Sequence, residues 1–317
     1  MKAVTVVDGA LEWAEHPDPE PGPGELLVAV RAAGLNGADM LQRRGLYPAP
    51  AGSPADIPGM ELAGEVAAVG RGVERYASGD RVMALVGGGG QAELAVVHER
   101  IAMPVPDSVS WPEAGGFPEV FITAHDALFT QCELTLGERA LVHGAAGGVG
   151  IAGVQLAARA GARVIATVRN EALRNEVAEI GTACGDVEVI APEGFAEHGP
   201  FDVILELIGA PNIADDVRTL ATKGRIAVIG VGAGAQAEVN LLALMATRGR
   251  IHGSMLRSRP LEQKADASQR VEHAVVPRLA LGDVRVPVTD TFPMSEAQAA
   301  YDRFEAGGKL GKIVLVT

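Results

Sequence analysis

At 317 residues, with 48% hydrophobic and 21% charged positions, the chain has the composition of an ordinary globular protein and length enough for two domains. Its formal charge of −13 disfavours nucleic acid and anionic membrane as partners, because both demand basic surface. No apolar run reaches the length of a membrane span, so a soluble, cytoplasmic protein is expected.

The opening Met1-Lys-Ala-Val-Thr-Val-Val reads as a strand rather than a signal sequence. Apolar or alternating runs at 25–31, 61–69, 80–85 and 92–97 predict further short strands, punctuated by turn residues such as Pro21-Gly-Pro-Gly24 and Ser78-Gly-Asp80. That pattern predicts a compact β-domain. From about Glu119 helix and strand alternate. Strands are expected at 139–143, 163–168, 201–209, 224–230 and 250–254, with helices between them, as a doubly wound parallel sheet requires. A long helix over 261–281 follows, then a helix opened by Ser295 with Gln298 as a capping box, and a last strand over 312–316. The predicted fold class is α/β. A discontinuous β-rich domain (1–118 and 260–317) carries an inserted nucleotide-binding domain (119–259). Cys132 and Cys184, the only cysteines, form neither a disulfide framework nor a zinc cluster and are expected to be reduced.

Strand, glycine turn, helix and strand succeed one another around Leu141-Val-His-Gly-Ala-Ala-Gly-Gly-Val-Gly150. This unit places a pyrophosphate on a helix N-terminus, where unpaired amides and the positive dipole end receive it. The match is A-x-G-x-x-G, with Ala145 in place of the first glycine. Ala145, Ala146, Gly147, Gly148 and Val149 are therefore candidate phosphate contacts, Gly147 for close approach and Gly150 for packing of the helix on the strand. At the end of the next strand an NAD site usually has Asp or Glu for the ribose 2′-hydroxyl. Here stand Thr167, Val168, Arg169 and Asn170. Arg169 suits a 2′-phosphate, which favours NADPH, and Glu171 reads as a favourable charge at a helix start. Ile208 and Gly209, and Gly230 and Val231, end strands at the sheet edge where ligands lie in open α/β folds; simple turn geometry also accounts for them. His143 reads as a satisfied core histidine, and His125 and His252 as isolated.

Several segments in order resemble the medium-chain dehydrogenase/reductase superfamily, which joins a GroES-like β-domain to a Rossmann domain. They are Gly34-Leu-Asn-Gly-Ala-Asp39, Arg44-Gly-Leu-Tyr-Pro48, Pro58-Gly-Met-Glu-Leu-Ala-Gly64, Gly79-Asp-Arg-Val82, Gly116-Phe-Pro-Glu-Val-Phe-Ile-Thr-Ala124, the glycine loop, Gly253-Ser-Met-Leu-Arg-Ser-Arg259 and Gly311-Lys-Ile-Val-Leu315. Within the superfamily the chain looks like a zinc-free, zeta-crystallin-like quinone oxidoreductase. Its Leu-Arg-Ser-Arg run is most similar to the branch containing the p53-inducible quinone reductase. Zinc members carry Cys where Asn36 stands and His-Glu where Met60-Glu61 stands; amide and thioether are poor substitutes around Zn²⁺.

The resemblance implies that Asn36 and Tyr47 lie near the nicotinamide and the substrate carbonyl, each able to donate a hydrogen bond to oxygen, and that Thr123 contacts the cofactor. On the residues alone, Asn36 also suits a turn before a helix, Tyr47 a half-buried aromatic beside Pro48, and Thr123 a helix residue bonding its own backbone. Asp39 is expected to orient its neighbours. Gln91 and Leu94 replace aromatics common in relatives and are expected to border the substrate cleft. The implied activity is NADPH-dependent reduction of a quinone or enone by a homodimer paired through residues 250–254. Enoyl-thioester or 2-alkenal reduction competes, as does a non-catalytic NADPH-binding role of the crystallin or RNA-binding kind.

Overall fold

The computed structural model describes residues 1–317, which divide into two compact units. Unit 1 comprises Met1–Ile122, Leu256–Gly307 and Lys312–Thr317, and unit 2 comprises Thr123–Met255 and Gly308–Gly311. The two main junctions thus lie four residues inside the boundaries drawn from sequence. The short 308–311 segment joins unit 2 because the Gly311 amide donates to the Ala146 carbonyl at 2.8 Å. No helix is long and apolar enough to cross a membrane.

In chain order, unit 1 begins with strands β1 (Lys2–Val7), β2 (Ala10–Glu15) and β3 (Glu25–Gly34), helix α1 (Gly37–Arg43), and strands β4 (Glu61–Val69), β5 (Arg81–Leu85), β6 (Leu94–His98) and β7 (Ala102–Pro104). Helices α2 (Trp111–Gly115) and α3 (Pro118–His125) lead out of it. Unit 2 holds β8 (Arg139–Val142), α4 (Gly148–Arg159), β9 (Arg163–Thr167), α5 (Arg174–Thr182), β10 (Val187–Ile190), β11 (Phe201–Glu206), α6 (Ala210–Arg218), β12 (Leu220–Val228), α7 (Leu241–Thr247) and β13 (Arg250–Gly253). The chain closes with α8 (Leu261–Ala274), α9 (Val276–Ala280), β14 (Val288–Pro293), α10 (Ala297–Glu305) and β15 (Lys312–Val316).

Unit 1 is built on a largely antiparallel sheet of seven strands, β14-β15-β3-β4-β5-β7 with β6 also on β3. Alternate residues of β3 (Leu26, Val28, Val30) are buried with Leu62, Val66, Val82 and Leu315 in one core. This is the period-2 signature of a sheet with one face inward. Unit 2 is wholly parallel, in the order β10-β9-β8-β11-β12-β13. With β8 as first strand this is the order 3-2-1-4-5-6 of dinucleotide-binding sheets. Its direction reverses between β8 and β11, and the crevice at that switch point is where such sheets take ligands.

Two predicted elements differ. The single helix expected over 261–281 is interrupted at Val275, because Pro277 has no amide to continue the ladder. The capping box expected at Ser295 and Gln298 does not form. Ser295 lies in a 3₁₀ turn (Met294–Glu296), α10 starts after Glu296, and Gln298 donates to Asp302 within the helix.

Candidate functional site

In unit 2 the turn after β8 shows why alanine is accepted at 145. The residue in left-handed conformation is Gly144, at φ +62°, one position before the motif's first place. Ala145 therefore keeps an ordinary backbone and buries its methyl. Gly150 has no such freedom: a Cβ there would lie 2.3 Å from the Gly144 carbonyl oxygen and 2.7 Å from Ala145 Cα. The close contact it permits is with the turn, whereas Gly153 is the residue that brings α4 against β11, where a Cβ would meet Leu205 Cδ2 at 2.7 Å.

Gly147 is the N-cap of α4, with extended backbone. The amides of Gly148, Val149 and Gly150 that follow have no intrahelical acceptor, and no acid occupies the first turn. Ala146 to Val149 are partly exposed, so this helix end presents donors and positive dipole to solvent. Across the switch point, Gly209 at φ +108° would place a Cβ 2.5 Å from the Gly234 carbonyl. A Cβ on Gly230 would sit 2.3 Å from the Leu207 carbonyl. Ile208 and Gly230 are partly exposed and Val231 is exposed beside them.

At the end of β9 the Thr167 side chain turns inward. Its hydroxyl lies 3.1 Å from His143 Nδ1, so that oxygen serves the core. Arg169 is exposed and makes no ion pair. Asn170 caps the short 3₁₀ helix Glu171–Leu173, and Arg174 donates to the Val168 carbonyl at 3.0 Å, adding a second cation to the strand end. Thr123 is buried on α3.

In unit 1 the residues at positions where zinc members carry ligands belong to a buried ionic knot. Lys312 Nζ donates to Leu35 O at 2.8 Å, Asn36 Oδ1 at 2.6 Å and Glu61 Oε1 at 2.6 Å, which uses all three ammonium hydrogens. Asn36 Nδ2 donates to Glu61 Oε1 at 2.9 Å, and Glu61 Oε2 accepts the Glu119 amide at 2.9 Å. Glu61 is fully buried, and Gly34 makes room for it, since a Cβ there would lie 2.3 Å from Glu61 Oε1. The donor set does not suit Zn²⁺. It offers an amide and one carboxylate, and a resident ammonium already neutralises that carboxylate. The Asn36 amide hydrogens are directed at Glu61 and, more distantly, at the Gly34 carbonyl (3.4 Å), so the side chain is anchored by its neighbours.

Asp39 accepts the backbone N–H of Asn36 at 2.8 Å and that of Gly59 at 3.2 Å. Burial pushes its carboxyl up to about 6, against the pull of those amides and of Lys312 and Arg257. It orients the start of α1 and the turn at Gly59.

Tyr47 is half-buried, and burial raises its phenol above the ordinary range, with Arg257 opposing and Glu119 adding. It therefore stays protonated. The buried Arg257 guanidinium lies 5.1 Å from the Tyr47 ring centroid. It donates to Tyr47 O at 3.1 Å, Gly87 O at 2.7 Å and the Gln42 side chain, tying the Tyr47 segment to the loop after β5. Gln91 does not border a cleft. It is fully buried, and its side-chain oxygen accepts the Tyr301 hydroxyl at 2.9 Å, a core contact that replaces the expected edge position. Leu94 is partly exposed on β6.

Sequence reasoning thus missed Lys312 and Arg257 as members of the unit 1 constellation. Each was visible only inside a matching run. A lone cation in an apolar strand, as in Lys312-Ile-Val-Leu-Val316, was the available signal.

Residues 22–107 match the family model of the alcohol dehydrogenase GroES-like domain, and residues 186–315 that of zinc-binding dehydrogenases. A quinone oxidoreductase of Pseudomonas aeruginosa is 32% identical, over 96% of this chain and 95% of its own. A stretch of erythronolide synthase EryA2 of Saccharopolyspora erythraea is 33% identical over 97% of this chain, which is 8% of that protein. Among solved structures, an alcohol dehydrogenase superfamily protein from Novosphingobium aromaticivorans superposes with a TM-score of 0.87 at 27% identity, over 100% of this chain and 99% of that one.

Proposed function

The chain belongs to the medium-chain dehydrogenase/reductase family of pyridine-nucleotide-dependent oxidoreductases, and from that premise we propose that it is an NADPH-dependent, zinc-independent reductase of quinones or other conjugated carbonyls. The observation that carries the reading is the Lys312 ammonium, seated 2.6 Å from both Asn36 Oδ1 and Glu61 Oε1, in the place where a metal would need those donors. An acceptor reduced without Lewis-acid help must accept hydride readily, as quinones and enones do. The nicotinamide cofactor supplies that hydride when bound.

The chain's own part is binding and orientation. The α4 N-terminus receives pyrophosphate, the Gly209 and Gly230 turns admit close backbone approach, and Arg169 meets the 2′-phosphate. Tyr47, held by Arg257, donates its hydroxyl proton in a hydrogen bond to the acceptor oxygen as charge grows there. Asn36, anchored by Lys312 and Glu61, holds the start of α1 beside it.

The test is a panel of 1,4-quinones, enones and enoyl thioesters followed by NADPH absorbance with and without a chelator. Quinones should turn over fastest, with rates indifferent to chelation; activity that needs added Zn²⁺ would sink the reading. Tyr47→Phe should lower kcat/KM by about tenfold, more for enones than for quinones, with NADPH affinity unchanged. A second reading, enoyl-thioester reduction, is favoured by the match to a stretch of erythronolide synthase EryA2, and thioesters leading the panel would establish it.

We also propose a homodimer joined at β13. This strand is the edge of the unit 2 sheet, Ile251 on it is exposed, and Leu241, Leu242 and Met245 of α7 are exposed at 67%, 74% and 70%. An uncovered apolar edge is a liability in a monomer and a ready two-fold interface. Light scattering should give a dimer that Ile251→Lys dissociates, and a monomer at micromolar concentration refutes the proposal.

A further inference from the structure

Beneath the nucleotide cradle of unit 2 lies a chain of buried polar groups. His143 follows β8, Glu206 ends β11, and Asp216 belongs to α6; all are sealed from solvent, with one side-chain nitrogen or oxygen each within 4.8 Å of the others. Thr167 Oγ1 lies 3.1 Å from His143 Nδ1, and His143 Nε2 lies 3.0 Å from Asp216 Oδ1. Asp216 and Glu206 each bring a carboxylate oxygen within 4.8 Å of the other, and their side-chain interaction pulls the Asp216 carboxyl down while burial pushes it up more strongly. Glu206 Oε1 accepts the amides of Ile208 and of Gly209, the latter at 2.7 Å, and Oε2 accepts Asn212 Nδ2 at 3.0 Å. The chain therefore runs under the switch point, from the end of β9 to the turn after β11.

The proton count is constrained by what surrounds the group. No lysine or arginine reaches it. From β8 comes His143, from β11 Glu206, from β9 the neutral Thr167, and from the 3₁₀ helix Phe195–His198 the Phe195 ring, edge-on to His143 at 4.6 Å. On its own helix the nearest charge is Asp215, which pairs with Arg218.

Asp216 Oδ2 is buried without a hydrogen-bond partner. Were both carboxyls ionised, two negative charges would meet in a site with no cation, and that bare oxygen would be a further penalty. One proton shared by the two carboxyls removes the repulsion. Burial pushes Asp216 up to about 7 and His143 down to about 4, so the imidazole is neutral.

We propose that Asp216 is a positioning residue of the nucleotide site, sharing with Glu206 a proton that keeps their contact attractive and so sets the Ile208 and Gly209 amides and the Thr167 strand end in the geometry that receives the cofactor. This rests on the dinucleotide reading of unit 2. The sign follows from the raised carboxyl: the contribution is complete at acid pH and is lost as pH rises through about 7. Ionised Asp216 then repels Glu206 and loosens the turn that Glu206 holds.

The experiment is NADPH titration of the intact protein by fluorescence at about pH 6 and about pH 8.5, for wild type, Asp216→Asn and Asp216→Ala. Asparagine reproduces the protonated carboxyl, with one donor and one acceptor. Wild type should lose about tenfold in affinity over that interval, while Asp216→Asn changes by no more than about twofold. Asp216→Ala should be weak at both pH values. The 2′-phosphate of the probe titrates alike in all three, so the comparison isolates the cluster. Parallel pH profiles for wild type and Asp216→Asn would overturn the proposal, as would affinity that rises with added Zn²⁺ and thereby makes the cluster a metal site. A wild type that binds no nucleotide at any pH would overturn the dinucleotide reading and this proposal with it. Should Asp216→Ala fail to fold, the Asp216→Asn comparison still decides.

Discussion

Lys312→Met should be among the most damaging single substitutions in unit 1, lowering stability by about 3–5 kcal/mol. The methionine keeps the length and apolar stem of lysine but removes the ammonium. Glu61 would then remain fully buried with its charge answered only by the Asn36 amide and the Glu119 backbone. The Asn36 and Leu35 oxygens would each lose a charge-assisted donor. The loss belongs to the broken pair rather than to the intact pair's net worth, so a double-mutant cycle with Glu61→Gln is the proper measure. Neutralising Glu61 in the Lys312→Met background should recover part of the stability, giving a coupling of about 1–3 kcal/mol. A thermal midpoint for Lys312→Met within about 2 °C of the parent would mean the knot carries little, since about 1 kcal/mol moves a protein of this size by a few degrees. Added Zn²⁺ should not rescue the variant, because one amide and one carboxylate still make a poor site.

Why this knot escaped the sequence is instructive. Asn36, Glu61 and Lys312 are distributed over the end of β3, the start of β4 and the start of β15, and only strand pairing brings them together. The β15–β3 register sets Val314 opposite Gly34, which delivers Lys312 to the Asn36 turn. No local spacing encodes that pairing.

The glycine loop lies at the other extreme. Its chemistry is local, so strand, turn and helix N-terminus were all readable, and the parallel order of unit 2 followed from the alternation of elements. Even there, one detail needed coordinates: Gly144, and not the motif's first position, takes the left-handed conformation. His143 was readable as a core histidine, but its partners, 73 and 24 residues away, were not. Gln91 was misplaced for a similar reason, because its burial depends on Tyr301 arriving from α10. The long helix at 261–281 failed on a signal that was present, Pro277.

Arg169→Ala should change the cofactor preference more than any other exposed substitution. Arg169 stands two residues beyond β9 with no acid paired to it, and the nearest acid along the chain, Glu171, opens a 3₁₀ helix. A guanidinium there can make two charge-assisted hydrogen bonds to a 2′-phosphate, and their loss is worth about 2–3 kcal/mol, or roughly thirty- to a hundredfold in affinity. NADH, which lacks that phosphate, should bind the variant within about twofold of the parent. Arg174 is not an equal substitute, because its Nε is already committed to the Val168 carbonyl. Arg174→Ala should therefore weaken NADPH less than Arg169→Ala does.

The discrimination should also fall with ionic strength, since an exposed pair is screened over about 8–10 Å at ordinary salt. A structural role for Arg169 would show the opposite pattern: equal loss for NADPH and NADH, a lower thermal midpoint and no salt dependence. If wild type itself prefers NADH, the absence of an acid at the end of β9 does not set the choice. The discriminating contact would then have to come from the segment around Asn170 and Gly308, where the Asn170 side-chain nitrogen lies 3.9 Å from the position a Gly308 Cβ would take.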